Sequence, residues 1–183
     1  GNEMLFQLLA KNLVATLNRL GVTRIVTCDP HVFNTLRNEY PEFGGHYEVI
    51  HHTQLIAQLI EQGRLMLAPA FEKVIYHEPC YLGRHNGEYE APRRALRAAC
   101  SDSPFEFALA RDKAMCCGAG GARMWMDEKI GRRINVTRVE QALTRSPTTI
   151  ATACPYCAVM LQDGVNALGQ ADNVKIRDIA ELV

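Results

Sequence analysis

The sequence predicts an α/β fold made of two pseudo-repeated lobes, each a small, mainly parallel sheet flanked by helices. Three observations carry this expectation. Short β-branched runs alternate with amphipathic segments along the 183 residues. The strand-like runs are short and read as buried, as strands of a mainly parallel sheet are. Part of the pattern also repeats at an offset of 125: Thr27, Pro30 and Leu36 match Thr152, Pro155 and Leu161.

Residues 2–20 carry Leu5, Leu8, Leu9, Leu13, Leu17 and Leu20 at helical spacing, and Gly21 stops the helix. Thr23–Thr27 is a short β-branched run that reads as a buried strand. Residues 30–38 fit a short helix ending near Pro41, Tyr47–Ile50 a second strand, and 53–63 a helix closed by Gly63. Val74–Tyr76 is a third strand leading directly into His77-Glu78-Pro79-Cys80, with a loop through Gly83, Asn86 and Gly87 after it. Pro92 opens a helix to about Cys100, since proline suits a first helical turn. Phe105–Leu109 reads as a strand. Residues 116–121 (C-C-G-A-G-G) must be loop, because three glycines in four positions favour neither helix nor strand. Residues 129–144 read as helix, Thr149–Ala153 as strand, 155–163 as helix and Val174–Ile176 as a last strand with a short closing helix.

The repeat also pairs Ile56–Ile60 with Ile179–Val183. On this reading residues 1–70 are the end of one unit and 71–183 the whole of a second. Gly1, with no initiator methionine and no linker before the first helix, fits a piece of a larger protein.

Charge is balanced, 20 basic against 20 acidic residues, which argues against nucleic acid as a partner. No apolar stretch approaches the roughly 20 residues of a transmembrane helix, and no secretory signal is expected from the residues at the start of the chain. The expected location is cytoplasmic, with the inner face of the membrane reached through parts of the parent outside this chain.

Five of the seven cysteines form one pattern: Cys80, the pair Cys116-Cys117, and Cys154-Pro155-Tyr156-Cys157. A C-x-x-C lets two thiolates from one turn reach one centre. Adjacent cysteines point apart and suit a cluster in which two irons need ligands. Gly118, Gly120 and Gly121 let the backbone approach bridging sulfides and donate N–H bonds to them. Cys80 and Cys154 each follow a predicted strand, where open parallel sheets place their ligand crevices. Competing readings are a structural zinc site, although five cysteines exceed the four ligands zinc takes, and disulfides. Cys28 and Cys100 read as inert buried thiols.

Histidines near the motif are candidates for proton transfer, His77 and His85 first. His31 occupies the Tyr156 position of the repeat and could face the same crevice. Glu78, Arg84 and Arg123 read as local hydrogen-bonders. Met124, Trp125 and Met126 read as core or lobe-interface residues. The glycines at 118–121 lack the strand, helix and acidic residue of a dinucleotide fingerprint.

With H-E-P-C-Y-L-G-R-H at its start and C-C-G-A-G-G-A-R-M-W within it, the cysteine set resembles the cysteine-rich CCG domain family. That family includes the B- and D-type subunits of heterodisulfide reductase and the glycolate oxidase iron–sulfur subunit. The resemblance implies an iron–sulfur oxidoreductase with a [4Fe-4S] cluster, cubane or non-cubane, held by Cys80, Cys116, Cys117, Cys154 and Cys157 and readily lost in air. It implies a ferredoxin-type domain or other redox subunits as partners, and a quinone, an electron-transfer flavoprotein or a disulfide as reaction partner. Residues 1–70 would then be the C-terminal part of a degenerate first CCG lobe, with Asp29 and Val32 in place of two cysteines, and 71–183 a complete second lobe.

Overall fold

The computed structural model describes residues 1–127 and 130–183. Among these, the chain runs α1 (Glu3–Arg19), β1 (Arg24–Thr27), α2 (Pro30–Asn34), β2 (Glu48–His51), α3 (His52–Glu61), β3 (Val74–Tyr76), α4 (Glu90–Ala99), α5 (Ile134–Leu143), β4 (Thr149–Thr152), α6 (Pro155–Ala167) and β5 (Lys175–Asp178), with short 3₁₀ and π turns between. The five strands form two parallel sheets, β1–β2 and β3–β4–β5. The α/β class and the parallel pairing are as the sequence predicts.

The larger sheet is sandwiched. Successive strand side chains point to opposite faces. Val74, Tyr76 and Ala151 therefore pack towards α4 through Ala95, Leu96 and Ala99. Ile75 and Ile150 pack towards α5 and α6 through Val139, Leu161 and Val165. Strand β4 lies between two neighbours and is buried at every position. Phe33 of α2 joins the α4-side core, so the two sheets share packing. Gly164 lets α6 lie against α5, since a Cβ there would come 2.9 Å from the Asn135 carbonyl oxygen.

The order β1–α2–β2–α3 is repeated by β4–α6–β5 and a closing 3₁₀ turn, with the same parallel pairing. Asp29 caps α2 before Pro30 just as Cys154 precedes Pro155 at α6. His51 and Asp178 each build a capping box with the residue three positions on. This equivalence places His52 opposite Ile179, so the sequence match of Ile56–Ile60 to Ile179–Val183 is four residues out of register.

Several expected elements differ. Strand β1 is half exposed rather than buried, with Val26 46% accessible, because its sheet has only two strands. The helix after Pro30 leaves α geometry at Thr35, passes through a π turn and a 3₁₀ turn over Tyr40–Phe43, and ends at Gly44 with φ 81°. Pro41 has no N–H to continue an α ladder. Helix α4 starts at Glu90, two residues before Pro92. Phe105–Leu109 is not a strand: Phe105 makes a single parallel bridge to Ile75, and Phe107 turns into the core. The expected helix 129–144 begins at Ile134, and residue 129 lies outside the described residues. Helix α6 runs on to Ala167. Helix α1 buries Ala10 and Val14, while Leu5, Leu8, Leu9, Leu13 and Leu20 are exposed.

Candidate metal centre

The five motif cysteines come from three loops that meet beyond the carboxyl ends of β3 and β4. Cys80 sits in the turn after β3, where the Pro79 carbonyl accepts from the backbone N–H of Leu82 and Gly83. Cys116 and Cys117 lie in an irregular segment anchored from that same turn, because Arg84 donates to the carbonyls of Asp112 and Ala114. Cys154 is the N-cap of α6, with Cys157 on its first turn. A helix N-terminus favours thiolate over thiol.

The sulfurs form one linked set. Cys157 Sγ lies 3.3 Å from Cys117 Sγ. Side-chain interactions among the thiols continue the set from Cys117 to Cys116, from Cys116 to Cys80, and from Cys157 to Cys154. Cys117, Cys154 and Cys157 are buried with Met160, and Cys116, Ala119 and Met124 pack against them. No two of the cysteines are joined in a disulfide. The Gly118 N–H donates to Cys116 Sγ at 3.3 Å.

Such crowding splits the thiols. Interactions with Cys117 and Cys80 pull Cys116 far towards thiolate, and those with Cys157 and His31 hold Cys154 at about 6. The same contacts push Cys80 and Cys157 up, and Cys117 to about 12. Five thiolates this close cannot coexist without cationic charge among them. The donor set therefore fits a polynuclear soft-metal centre, and it exceeds what one tetrahedral ion takes.

Two histidines adjoin the thiols. His77 is fully buried, and burial, with the nearby Arg138 charge, holds it neutral at about 3. One of its ring nitrogens and the sulfurs of Cys117 and Cys157 lie within 4.8 Å of one another. His31 reaches across from α2: its Nδ1 is 2.9 Å from Asp29 Oδ1, and its ring lies within 4.8 Å of the Cys154 sulfur. Those two partners raise it to about 9. The repeat position of His31, opposite Tyr156, is the sequence signal that points to this crevice. His85 is exposed and stacked on Tyr81, with ring centroids 4.4 Å apart.

Beside the centre lies a cavity of about 620 Å³, lined by Leu17, Leu36, Met124 and Trp125, with His31 and Tyr81 among its polar groups. Trp125 is 74% exposed and Met126 59%, so neither is core; Trp125 belongs to this cavity wall. Cys28 is exposed rather than buried, while Cys100 is buried as expected. Glu78 and Arg93 form a bidentate buried ion pair, with Nη1–Oε1 and Nη2–Oε2 both 2.8 Å, and Glu78 Oε2 accepts from the Arg111 N–H. Glu78 and Arg84 are thus local supports of the cysteine loops. Arg138, buried against His77, and Asn135 carry no sequence signal, since both sit on the apolar side of α5.

Among the described residues no helix is long and apolar enough to cross a membrane.

Comparison with known proteins places these observations in a family. The model of the cysteine-rich domain termed CCG matches residues 74–162. The chain is 46% identical over its whole length to the "Probable iron-sulfur-binding oxidoreductase FadF" of Bacillus subtilis, covering 26% of that protein. It is 42% identical over its whole length to the EtfAB:quinone oxidoreductase of Syntrophomonas wolfei, covering 27% of it. It is 32% identical, over 96% of its length, to a subunit of the dihydromethanophenazine:CoB–CoM heterodisulfide reductase of Methanosarcina barkeri, covering 43% of it. The chain spans about a quarter of the first two relatives and under half of the third. Residues 74–162, which hold all five motif cysteines, thus match the cysteine-rich CCG domain family.

Proposed function

We propose that Cys80, Cys116, Cys117, Cys154 and Cys157 hold one iron–sulfur cluster of the [4Fe-4S] type. On this reading the domain relays electrons between a ferredoxin-type domain and a quinone, flavoprotein or disulfide partner. The observation that carries the reading is the convergence of five mutually interacting thiols from three segments of the chain. Bound there, such a cluster supplies one-electron redox capacity. The chain's residues supply the thiolates, the buried walls of Met160 and Ala119, and the loop anchors Arg84 and Glu78.

The mostly apolar cavity supports a quinone as the reaction partner, a choice also in keeping with the quinone oxidoreductase among the relatives. His85, exposed and stacked on the cavity residue Tyr81, is on this reading the histidine that hands a proton to a bound partner. The alternative, disulfide cleavage at the cluster, is supported by the heterodisulfide reductase relative. Against it, Asp29 and Val32 stand where a second lobe of thiolates would face the first.

We further read residues 1–70 as the end of a degenerate CCG lobe and 71–183 as a complete one, supported by the repeated strand order and capping boxes. A cytoplasmic location, with membrane attachment through other parts of the parent, goes with that reading. Iron, sulfide and zinc analysis with EPR of anaerobically purified protein tests the proposal. Several irons per chain are expected; one zinc and no iron would replace the redox reading with a zinc-stabilised interaction module.

A further inference from the structure

Two buried polar atoms beside the thiols have no partner: Nε2 of His77 and Nη2 of Arg138. Both residues are fully buried. The Arg138 guanidinium lies 3.4 Å from the centroid of the Phe107 ring. Its Nε donates to His77 Nδ1 at 3.2 Å, and its Nη1 donates to Gln141 Oε1 at 3.0 Å.

These contacts fix the imidazole tautomer. A guanidinium has only donors. His77 Nδ1 must therefore present its lone pair, and the single proton of a neutral ring must sit on Nε2. That Nε2–H is buried without an acceptor, and the ring has the sulfurs of Cys117 and Cys157 as ionisable neighbours, one of its nitrogens lying within 4.8 Å of both. The same logic argues against His77 as a metal ligand. Binding a metal through Nε2 would move the proton to Nδ1, where it would face the Arg138 N–H donor to donor.

We propose that His77 is a fixed hydrogen-bond donor, through Nε2–H, to a sulfur of the bound cluster, with its tautomer set by Arg138, and that this donation raises the cluster's reduction potential. The proposal rests on the iron–sulfur reading above. Reduction adds negative charge to the sulfurs, so an N–H aimed at them stabilises the reduced state more than the oxidised one. The geometry makes His77 a tuning group rather than a proton donor to substrate, because no face of its ring reaches solvent.

The test uses the anaerobically prepared full-length protein with wild-type His77, His77→Leu, His77→Gln and Arg138→Met. Three quantities are read: iron per chain, midpoint potential by EPR-monitored titration, and exchangeable-proton and ¹⁵N-histidine couplings by pulsed ENDOR. His77→Leu should keep iron, lose one exchangeable-proton coupling and titrate at a lower potential. A tenfold loss of reduced-state stabilisation corresponds to about 59 mV for a one-electron couple. His77→Gln, which keeps an N–H near that position, should retain the coupling and most of the potential. Arg138→Met should shift the potential in the same direction as His77→Leu.

An unchanged potential and coupling in iron-loaded His77→Leu overturns the proposal alone. So does a ¹⁵N coupling large enough for a direct iron–nitrogen bond. If His77→Leu loses its iron, His77→Gln decides: iron with the proton coupling supports the proposal, and iron without it, or no iron, overturns it. A wild-type protein that binds no iron overturns the iron–sulfur reading itself.

Discussion

Alanine placed singly at Gly118, Gly120 and Gly121 separates the glycine that shapes the centre from those that merely line it. Gly118 has φ 94°, beyond the left-handed well that an L-residue tolerates, and a Cβ there would stand 3.1 Å from the Ile134 Cβ. A backbone held in such a region costs about 1–3 kcal/mol for a residue with a side chain, and relief of the contact with α5 must come from the cysteine loop. Gly121 has φ 67° and open space around it, so alanine there should cost about 1 kcal/mol from conformation alone. Gly120 has neither a positive φ nor a neighbour within 4 Å of an added Cβ. Alanine at Gly120 should leave stability unchanged or raise it by up to about 1 kcal/mol through a less free unfolded chain. Guanidinium unfolding of the metal-free protein, followed by circular dichroism, measures the order Gly118→Ala worst, Gly121→Ala mild and Gly120→Ala neutral. Iron retention should follow the same order, because Gly118 N–H bonds Cys116 Sγ and its displacement moves a ligand. A neutral Gly118→Ala, or a Gly120→Ala as damaging as it, would overturn this account of the loop.

Three other outcomes are expected. Serine at Cys117 or Cys157 should abolish iron binding, while serine at Cys28 or Cys100 should leave iron per chain unaltered by metal analysis. Glu78→Gln leaves Arg93, only 6% exposed, with Glu106 as its remaining carboxylate, and should cost about 1.5–3 kcal/mol in denaturant titration. His51 is fully buried, and burial, with His52 beside it, depresses it to about 3. Its contribution is therefore complete above the unfolded value of 6.5 and is lost as pH falls from there towards 3. Between pH 7 and 5 that loss is about 2 kcal/mol. His51→Asn should flatten this limb of the stability–pH curve; an equally steep limb would exclude His51 as its source.

The five cysteines were legible as one centre because adjacent cysteines, a C-x-x-C and a glycine loop have few other uses. The strands were legible where apolar runs are short and bounded, as at Val74–Tyr76 and Thr149–Thr152. Phe105–Leu109 misled because alternation cannot report whether a partner strand continues beyond one bridge. The leucines of α1 misled because helical spacing identifies a face without saying what covers it.

The α/β class and the five-cysteine motif are written along the chain, because composition and spacing are local and survive without coordinates. Which histidine meets which sulfur is decided by packing alone. His31 reaches Cys154 across the two sheets, and Arg138, 61 positions from His77, sets that ring's proton. Hydrogen-bond direction depends on atoms that the folded chain brings together, and the order of residues holds no record of it.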